Sequence, residues 1–261
     1  MTVQVRLMEA ADAEVVAALV RQSFAAPLHP YLVYCQPGLH EYLRVVLAHP
    51  VLFPRHCLLV AEQDDAVLGF AEFRRLDGGR SLLSYIAVDP ARRGRGLASR
   101  LMSAYVTDLG PGQERVELDV FQDNLIALRL YERLGFQPES ESVWSVRDLP
   151  STGAEGEPLE LADAHGSLAA LSAYGFCRLP VRRAQQVLEA GLVSQAALRL
   201  PDVLSFLNDD LLRGIARVMP ALRKALLIGP VGAEPAGAGV DVLLRSSRLS
   251  ADRRSLAQVL T

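Results

Sequence analysis

Lysine is almost absent from this chain of 261 residues: Lys224 is the only one, and arginine carries nearly all of the positive charge. A P-loop requires the sequence Gly-Lys-Ser/Thr, so its absence excludes the P-loop nucleotide hydrolases. Cysteine is also scarce, and Cys35, Cys57 and Cys177 show no paired spacing. We therefore expect no disulfide framework, no cysteine metal cluster and a reducing, cytoplasmic environment.

Long apolar runs and a strong charge bias are missing as well. No apolar run approaches the roughly 18 residues of a membrane helix, and the first residues do not form a basic-then-apolar signal segment. The formal net charge of −3 gives no reason to expect nucleic-acid binding. What remains is an ordinary globular composition, 50% hydrophobic and 22% charged, in a chain long enough for one large or two small domains.

The histidines do not follow the spacing of metal ligands, so we expect no bound metal. They are His29, His40, His49, His56 and His165. The adjacent pair His56-Cys57 lies in a predicted strand and is interpreted as strand packing.

One stretch combines features of an anion-binding site. An apolar run over 82–88 predicts a buried strand, which Asp89-Pro90 ends. Gly94 and Gly96 then allow the backbone to curl, and helical spacing follows immediately. Backbone N–H groups and a helix N-terminus would meet there, which favours a phosphate or pyrophosphate. Four arginines are expected around this point: Arg92, Arg93, Arg95 and Arg100.

A dinucleotide-binding fingerprint is an alternative that the spacing alone leaves open. Its third small position would be Ser99, and Glu117 or Asp119 falls near the distance required of its acidic residue. In that fingerprint, however, the strand comes first in its unit, whereas this strand is about the fourth in the chain.

The residues Arg93-x-x-Gly96-x-Ala98, after a strand ending in Val-Asp-Pro, resemble the acyl-CoA-binding motif of the GNAT superfamily of N-acyltransferases. The family pattern is Gln/Arg-x-x-Gly-x-Gly/Ala. A second stretch, Asn124-x-x-Ala127-x-x-x-Tyr131-Glu132-x-x-Gly135-Phe136, resembles the second motif of the same family. Two motifs in the right order, about 30 residues apart, are more specific than either alone.

The resemblance covers about residues 1–149 and implies a mixed α/β (α+β) fold with a mostly antiparallel central sheet flanked by helices. The expected order is a strand, two helices, three strands, a helix, a strand, a helix and a closing hairpin over 137–149. We expect a GNAT domain over 1–150, a linker over 151–164, and a smaller, mainly helical C-terminal domain within 151–261.

In the C-terminal region, helical patterns lie at 166–174, 181–190, 203–219 and 250–260, with short strands at 226–228 and 240–244. Tyr174-Gly175-Phe176 echoes part of the second motif, but no second Arg-x-x-Gly-x-Gly/Ala occurs. The sequence therefore gives little support to a second copy of the domain. A substrate lid, a homodimer contact and an independent module all remain open roles.

The resemblance implies that acetyl-CoA, or another acyl-CoA, is the co-substrate. Its pyrophosphate would lie on the backbone of Arg93, Gly94, Arg95, Gly96, Leu97 and Ala98. The pantetheine arm would pair with Ile86, Ala87 and Val88, in a gap that opens towards the strand over 116–121. Asn124 and Ala127 are also placed at the cofactor, although capping of a helix explains Asn124 nearly as well.

For catalysis, Tyr131 has the position of the family's general acid, which protonates the departing thiolate. Many family members carry a glutamate on the strand before the loop, and this sequence has none over 81–88. Glu72 on the preceding strand is the nearest candidate for the base. Glu117, Asp119 and His40 are further candidates.

We therefore expect an acyl-CoA-dependent N-acyltransferase that acts on an amine of a small molecule or peptide. The acceptor would be selected by the helices within 10–50, together with the C-terminal region. The alternative from another class is a CoA-binding sensor or scaffold without catalysis, in which 151–261 binds a partner.

Overall fold

In the computed structural model the described residues are 2–108, 113–151, 158–183, 186–237 and 239–260. The chain divides into two compact units. Unit 1 contains Met1–Ala25, His40–Ser140 and Ser247–Thr261, and unit 2 contains Ala26–Leu39 and Glu141–Ser246. Residues 152–157, in the predicted linker, lie outside the described residues.

The described residues form twelve strands and eight α-helices. The strands are β1 (Gln4–Leu7), β2 (His56–Gln63), β3 (Ala66–Arg75), β4 (Arg80–Val88), β5 (Arg115–Phe121), β6 (Gln137–Asp148), β7 (Glu160–Leu161), β8 (Cys177–Arg183), β9 (Gln186–Leu192), β10 (Ala197–Leu200), β11 (Lys224–Pro230) and β12 (Val240–Asp252). The helices are α1 (Ala13–Gln22), α2 (Leu39–Ala48), α3 (Leu97–Asp108), α4 (Leu125–Arg133), α5 (Ala164–Tyr174), α6 (Val203–Leu207), α7 (Asp209–Val218) and α8 (Arg253–Leu260). None of these helices combines the length and apolar character needed to cross a membrane.

Unit 1 is a sheet in the order β1-β2-β3-β4-β5-β12. Neighbouring strands from β1 to β4 are antiparallel, and β4 pairs with β5 in parallel. At the β2–β3 hairpin, Asp64 and Asp65 have φ values of 54° and 61°, as the tightest hairpin turns require. The mixed, mostly antiparallel fold expected for this half is confirmed.

The core beneath this sheet is built on α3, whose apolar face packs against β3, β4 and β5. Its buried members include Phe73 and Tyr105, whose rings stack at 3.7 Å between centroids. The end of the chain completes the same core through Leu249, Ala251 and Leu256. Unit 1 therefore depends on residues that lie more than 100 positions after its second motif.

Unit 2 is a sheet in the order β6-β11-β10-β9-β8-β7, with antiparallel neighbours except for the parallel pair β10–β11. Helices α6 and α7 connect that parallel pair, as α3 connects β4 to β5 in unit 1. The two units thus share one strand order, a repeat that the sequence did not predict. Tyr174-Gly175-Phe176 closes α5, which precedes β8, so it does not correspond to the α4 motif.

Several element predictions need correction. The helix predicted at 181–190 is wrong: strands β8 and β9 occupy it, and the burial along β8 alternates with the period of two that a strand requires. The predicted closing hairpin over 137–149 is the single strand β6. Strands, not helices, therefore form the scaffold of the C-terminal region.

Other predicted helices are found with shifted bounds. The helix predicted at 166–174 is α5. The pattern at 203–219 is two helices, because Asn208 interrupts it and caps α7 by accepting the Leu211 N–H at 2.9 Å. The last predicted helix begins at Arg253, after β12.

We predict that Leu256→Ala lowers the free energy of unfolding by about 3 kcal/mol, the usual cost of removing a fully buried leucine side chain. Leu256 is 0% exposed in the unit 1 core. Val259 lies on the same helix and is 53% exposed, so Val259→Ala should change stability by only about 0.5 kcal/mol. Urea denaturation of both variants checks this, and equal small effects would contradict the role of α8 in the core.

Candidate active site

Strands β4 and β5 separate halfway along β4. Their parallel pairing joins Arg80–Leu83 to Arg115–Leu118 and goes no further. Beyond that point, the other edge of β4 remains paired with β3, up to Gly69 opposite Val88. Within the described part of the chain, the edge of residues 84–88 that faces β5 therefore has no strand partner. An extended ligand that carries amides can pair with such an edge.

A bulge marks the residue at which the strands separate. Phe73 on β3 lies opposite Leu83, whereas Glu72 lies opposite Tyr85, so Ser84 is an extra residue on β4. Bulges break the alternation of side chains between the two faces of a sheet. Accordingly, Leu83 and Ile86 both pack against the α3 core although they are three residues apart.

The loop after β4 has the backbone of an anion-binding site. Gly94 and Gly96 have φ values of 75° and 77°, in the left-handed region that favours glycine. An ideal Cβ at either position would meet nothing within 4 Å, so conformation and not space selects glycine. The first helical bond of α3 runs from the Arg100 N–H to the Gly96 carbonyl at 3.0 Å. The N–H groups before Arg100 therefore lack acceptors within the helix.

The arginines do not all surround this loop, as the sequence led us to expect. Arg93 Nε donates to the Val88 carbonyl at 3.4 Å, which directs its side chain back to β4. Arg100 Nη1 donates to the Val3 carbonyl at 3.5 Å, towards β1. Arg95, between the two glycines, is exposed. Backbone N–H groups, rather than several arginine side chains, therefore form most of the candidate anion site.

Helix α4 carries the second motif and packs Tyr131 into the core. Asn124 Oδ1 accepts the Ala127 N–H at 3.2 Å and caps this helix. Tyr131 is 5% exposed, and its ring meets Phe136 edge-on at 5.6 Å. Burial raises the pKa of Tyr131 well above its usual range, so the phenol stays protonated. Ile86, Val88, Leu97, Ala127 and Tyr131 all belong to one apolar cluster.

An aromatic side chain that the sequence analysis missed spans the gap between the two strands. Phe24 lies just after α1 and makes edge-on contacts with Tyr85 of β4 and Phe121 of β5. The distances between ring centroids are 6.3 Å and 6.0 Å. Tyr85 and Phe121 lie on opposite sides of the separation. Phe24 therefore covers the gap on the face opposite α3.

The structure buries Glu72 completely and gives it two basic neighbours. Its Oε1 lies 2.8 Å from His56 Nδ1 and 3.2 Å from Arg74 Nε. The His56 side chain keeps 13% of its surface exposed. His56 therefore does more than pack within the sheet, because its Nδ1 lies within hydrogen-bond distance of the candidate base.

The other candidates for the base are engaged elsewhere. Glu117 is 3% exposed and binds Arg80 at 3.3 Å and Arg248 at 3.0 Å. Arg248 also donates two hydrogen bonds to the Asp119 carboxylate, at 2.7 and 2.8 Å. His40 lies on α2 beside Glu14 and Glu41. The Glu72–His56 pair remains as the candidate for the general base. In this pair a partly exposed imidazole contacts a buried carboxylate.

Comparison with known proteins agrees with this geometry. The family model of the acetyltransferase (GNAT) family matches residues 21–136. Mycothiol acetyltransferase of Kineococcus radiotolerans is 38% identical over 101 residues, which is 39% of this chain and 33% of that protein. Mycothiol acetyltransferase of Clavibacter sepedonicus is 36% identical over 91 residues, which is 34% of this chain and 30% of that protein. The chain thus matches about a third of the length of these curated relatives.

Two solved structures match nearly the whole chain in fold. A GCN5-related N-acetyltransferase from Sphaerobacter thermophilus has a TM-score of 0.58 at 13% identity, covering 96% of both chains. A candidate acetyltransferase from Pyrococcus horikoshii has a TM-score of 0.62 at 13% identity, covering 96% of this chain and 89% of its own. Residues 21–136 thus match the model of the GNAT acetyltransferase family, and the two solved structures share the fold over nearly the whole chain.

We predict that Gly96→Ala weakens the binding of coenzyme A about tenfold, because a left-handed backbone costs an alanine roughly 1–2 kcal/mol. Gly78, in the β3–β4 turn, has φ +73° and an equally open Cβ position. Gly78→Ala should impose the same strain and leave binding unchanged. Isothermal titration with coenzyme A checks this, and equal affinities for the two variants would count against the loop as the anion site.

Proposed function

We propose that this protein is an acetyl-CoA-dependent N-acetyltransferase whose acceptor is an amine on a small molecule. The observation that carries the proposal is the unpaired edge of β4 beside a glycine loop at the start of α3, in a domain of the GNAT family. An extended arm with amide groups fits the edge. A pyrophosphate fits the N–H groups of the loop and helix end.

In this proposal the loop backbone holds the pyrophosphate through Arg93, Gly94, Arg95, Gly96, Leu97 and Ala98. The pantetheine arm lies along Ile86, Ala87 and Val88. Because Asn124 Oδ1 already accepts the Ala127 N–H, a contact between Asn124 and the cofactor uses its amide N–H groups. Ala127, packed against the apolar cluster, forms part of the wall.

Bound acetyl-CoA supplies an acyl thioester, so an amide C–N bond forms while the C–S bond breaks. The amine loses one proton and the departing sulfur takes one up. The protein therefore needs a proton donor on one side of the site and an acceptor on the other. Positioning also contributes, since well-oriented groups reach effective molarities on the order of 10⁵ M.

Tyr131 is the proposed donor. It belongs to the same apolar cluster as Ile86 and Val88, the residues proposed to flank the pantetheine arm. Burial raises its pKa, so it carries its proton throughout the neutral range. The phenol is a weaker acid than a free thiol, whose pKa is about 8.5, so its main contribution is a hydrogen bond to the sulfur as negative charge develops there, along which the proton moves as the C–S bond breaks.

Glu72 is proposed to act through His56. A carboxylate that is fully buried cannot itself reach an acceptor in solution, whereas the His56 side chain is 13% exposed. A bond from Nδ1–H to Glu72 Oε1 fixes the imidazole tautomer, which leaves Nε2 to accept a proton from the amine. In this arrangement Glu72 orients the base and stabilises its charged form.

A small-molecule acceptor is favoured over a peptide by the curated relatives, which are named for mycothiol. The connection between α1 and α2, Ala26–Leu39, belongs to unit 2. There Tyr31 and Val33 pack against a cluster that contains Val146 and Leu226.

We predict that the protein binds acetyl-CoA and releases thiol from it in the presence of a suitable amine. Tyr131→Phe should lower kcat about 100-fold, the lower range of general acid catalysis, with little change in acetyl-CoA affinity. Tyr105→Phe is the matched control, because Tyr105 is a buried tyrosine whose hydroxyl donates to Ser81 Oγ at 2.9 Å. That variant should lose stability and retain its turnover.

A thiol-release assay over a panel of small amines, with peptides included, makes the measurement. Failure to bind acetyl-CoA at millimolar concentration would overturn the proposal. Tight binding without release for any amine would instead support a CoA-binding sensor.

For the base, we predict that Glu72→Gln and His56→Gln each lower kcat/KM about 100-fold and that the double variant is little worse than either. Glu62→Gln is the control, since Glu62 is an ion-paired glutamate on β2 that binds Arg6. Steady-state kinetics of the single and double variants make the measurement. If the losses in kcat/KM multiply in the double variant, the two residues act independently and the proposed pair is wrong.

A further inference from the structure

Ser84 carries a hydroxyl that the fold buries without using. No residue within the described part of the chain hydrogen-bonds to its Oγ, and the oxygen is shielded from solvent. A buried hydroxyl in this state is unfavourable. A rotation of the Ser84 side chain that brings the oxygen to a ligand in the gap would satisfy it.

The contrast with a serine on the same strand shows that this state is particular to the position. Three residues earlier, Ser81 Oγ donates to Gln113 Oε1 at 2.8 Å and accepts a hydrogen bond from the Tyr105 hydroxyl at 2.9 Å. Ser81 lies where β4 is paired on both sides, and Ser84 is the first residue after the β4–β5 pairing ends.

The bulge decides which way Ser84 faces. Leu83 and Ile86 both pack into the α3 core cluster, and Tyr85, between them, does not. In the register with β3, Tyr85 pairs with Glu72 and Ser84 is the extra residue beside it, so the bulge turns both away from that cluster. Ser84 thus shares the face of the sheet on which Phe24 meets Tyr85, at the start of the gap.

We propose that the Ser84 hydroxyl donates a hydrogen bond to the carbonyl oxygen of the acyl thioester, a role that rests on the proposed function. That oxygen gains negative charge as the amine attacks, and a preorganised donor in a site shielded from water stabilises such charge strongly. The thiol product lacks the thioester carbonyl, so Ser84 makes the site prefer acyl-CoA over free CoA. The same difference favours release of the product.

Binding measurements test this without knowledge of the acceptor. In Ser84→Ala, the dissociation constant for acetyl-CoA should rise about three- to tenfold, the range of one hydrogen bond, while that for CoA stays the same. Isothermal titration with both ligands gives the ratio of the two constants. Ser81→Ala is the control, and it should leave that ratio at the wild-type value.

Thermal denaturation supplies a second readout. Removing an unsatisfied hydroxyl should leave the melting temperature of Ser84→Ala unchanged or higher, whereas Ser81→Ala breaks two hydrogen bonds and should lower it. If Ser84→Ala weakens both ligands equally, or neither, the hydroxyl does not contact the thioester and the inference is wrong. If the wild-type protein binds neither ligand, the proposed function itself fails, which is a separate outcome.

Discussion

The site depends on a parallel strand pairing that stops after four residues. Beyond Leu83, β4 remains paired with β3, and β5 has β12 as its neighbour on the other side. Two strands held in this way can separate without unravelling the sheet. The exposed edge of β4 then offers backbone donors and acceptors that a ligand or water must satisfy.

The outer support of β5 comes from the end of the chain. Arg248 on β12 binds both Glu117 and Asp119, and Gln122 Nε2 donates to Ser247 Oγ at 3.2 Å. A glutamate as buried as Glu117 is tolerated because two arginines contact it, and loss of one partner would leave a costly buried charge. The wall of the site beside β5 is thus fixed by residues beyond 136, where the family match ends.

Sequence patterns predicted much of unit 1 because its signals are local. The β2–β3 hairpin, the turn at Asp77–Gly79 and the glycine loop each follow from residues next to one another. The bulge was not predictable, since one extra residue leaves no trace in the apolar run over 82–88. The Glu72–His56 pair was missed because its partners are diagonal neighbours on two strands, a relation that only the register reveals.

The repeat in unit 2 shows which features of this topology make a site. Strand β10 has four residues, all of which pair with β11, so it presents no free edge beyond the ladder. Pro201-Asp202 follows it directly, and Asp202 caps α6 by accepting the Ser205 N–H at 2.8 Å, where unit 1 has a glycine loop. In the described residues, the free strand edge and the glycine loop occur together in unit 1 alone. A shared strand order therefore provides the frame, and the five residues of β4 beyond the ladder, with Gly94 and Gly96, distinguish the candidate site from the corresponding place in unit 2.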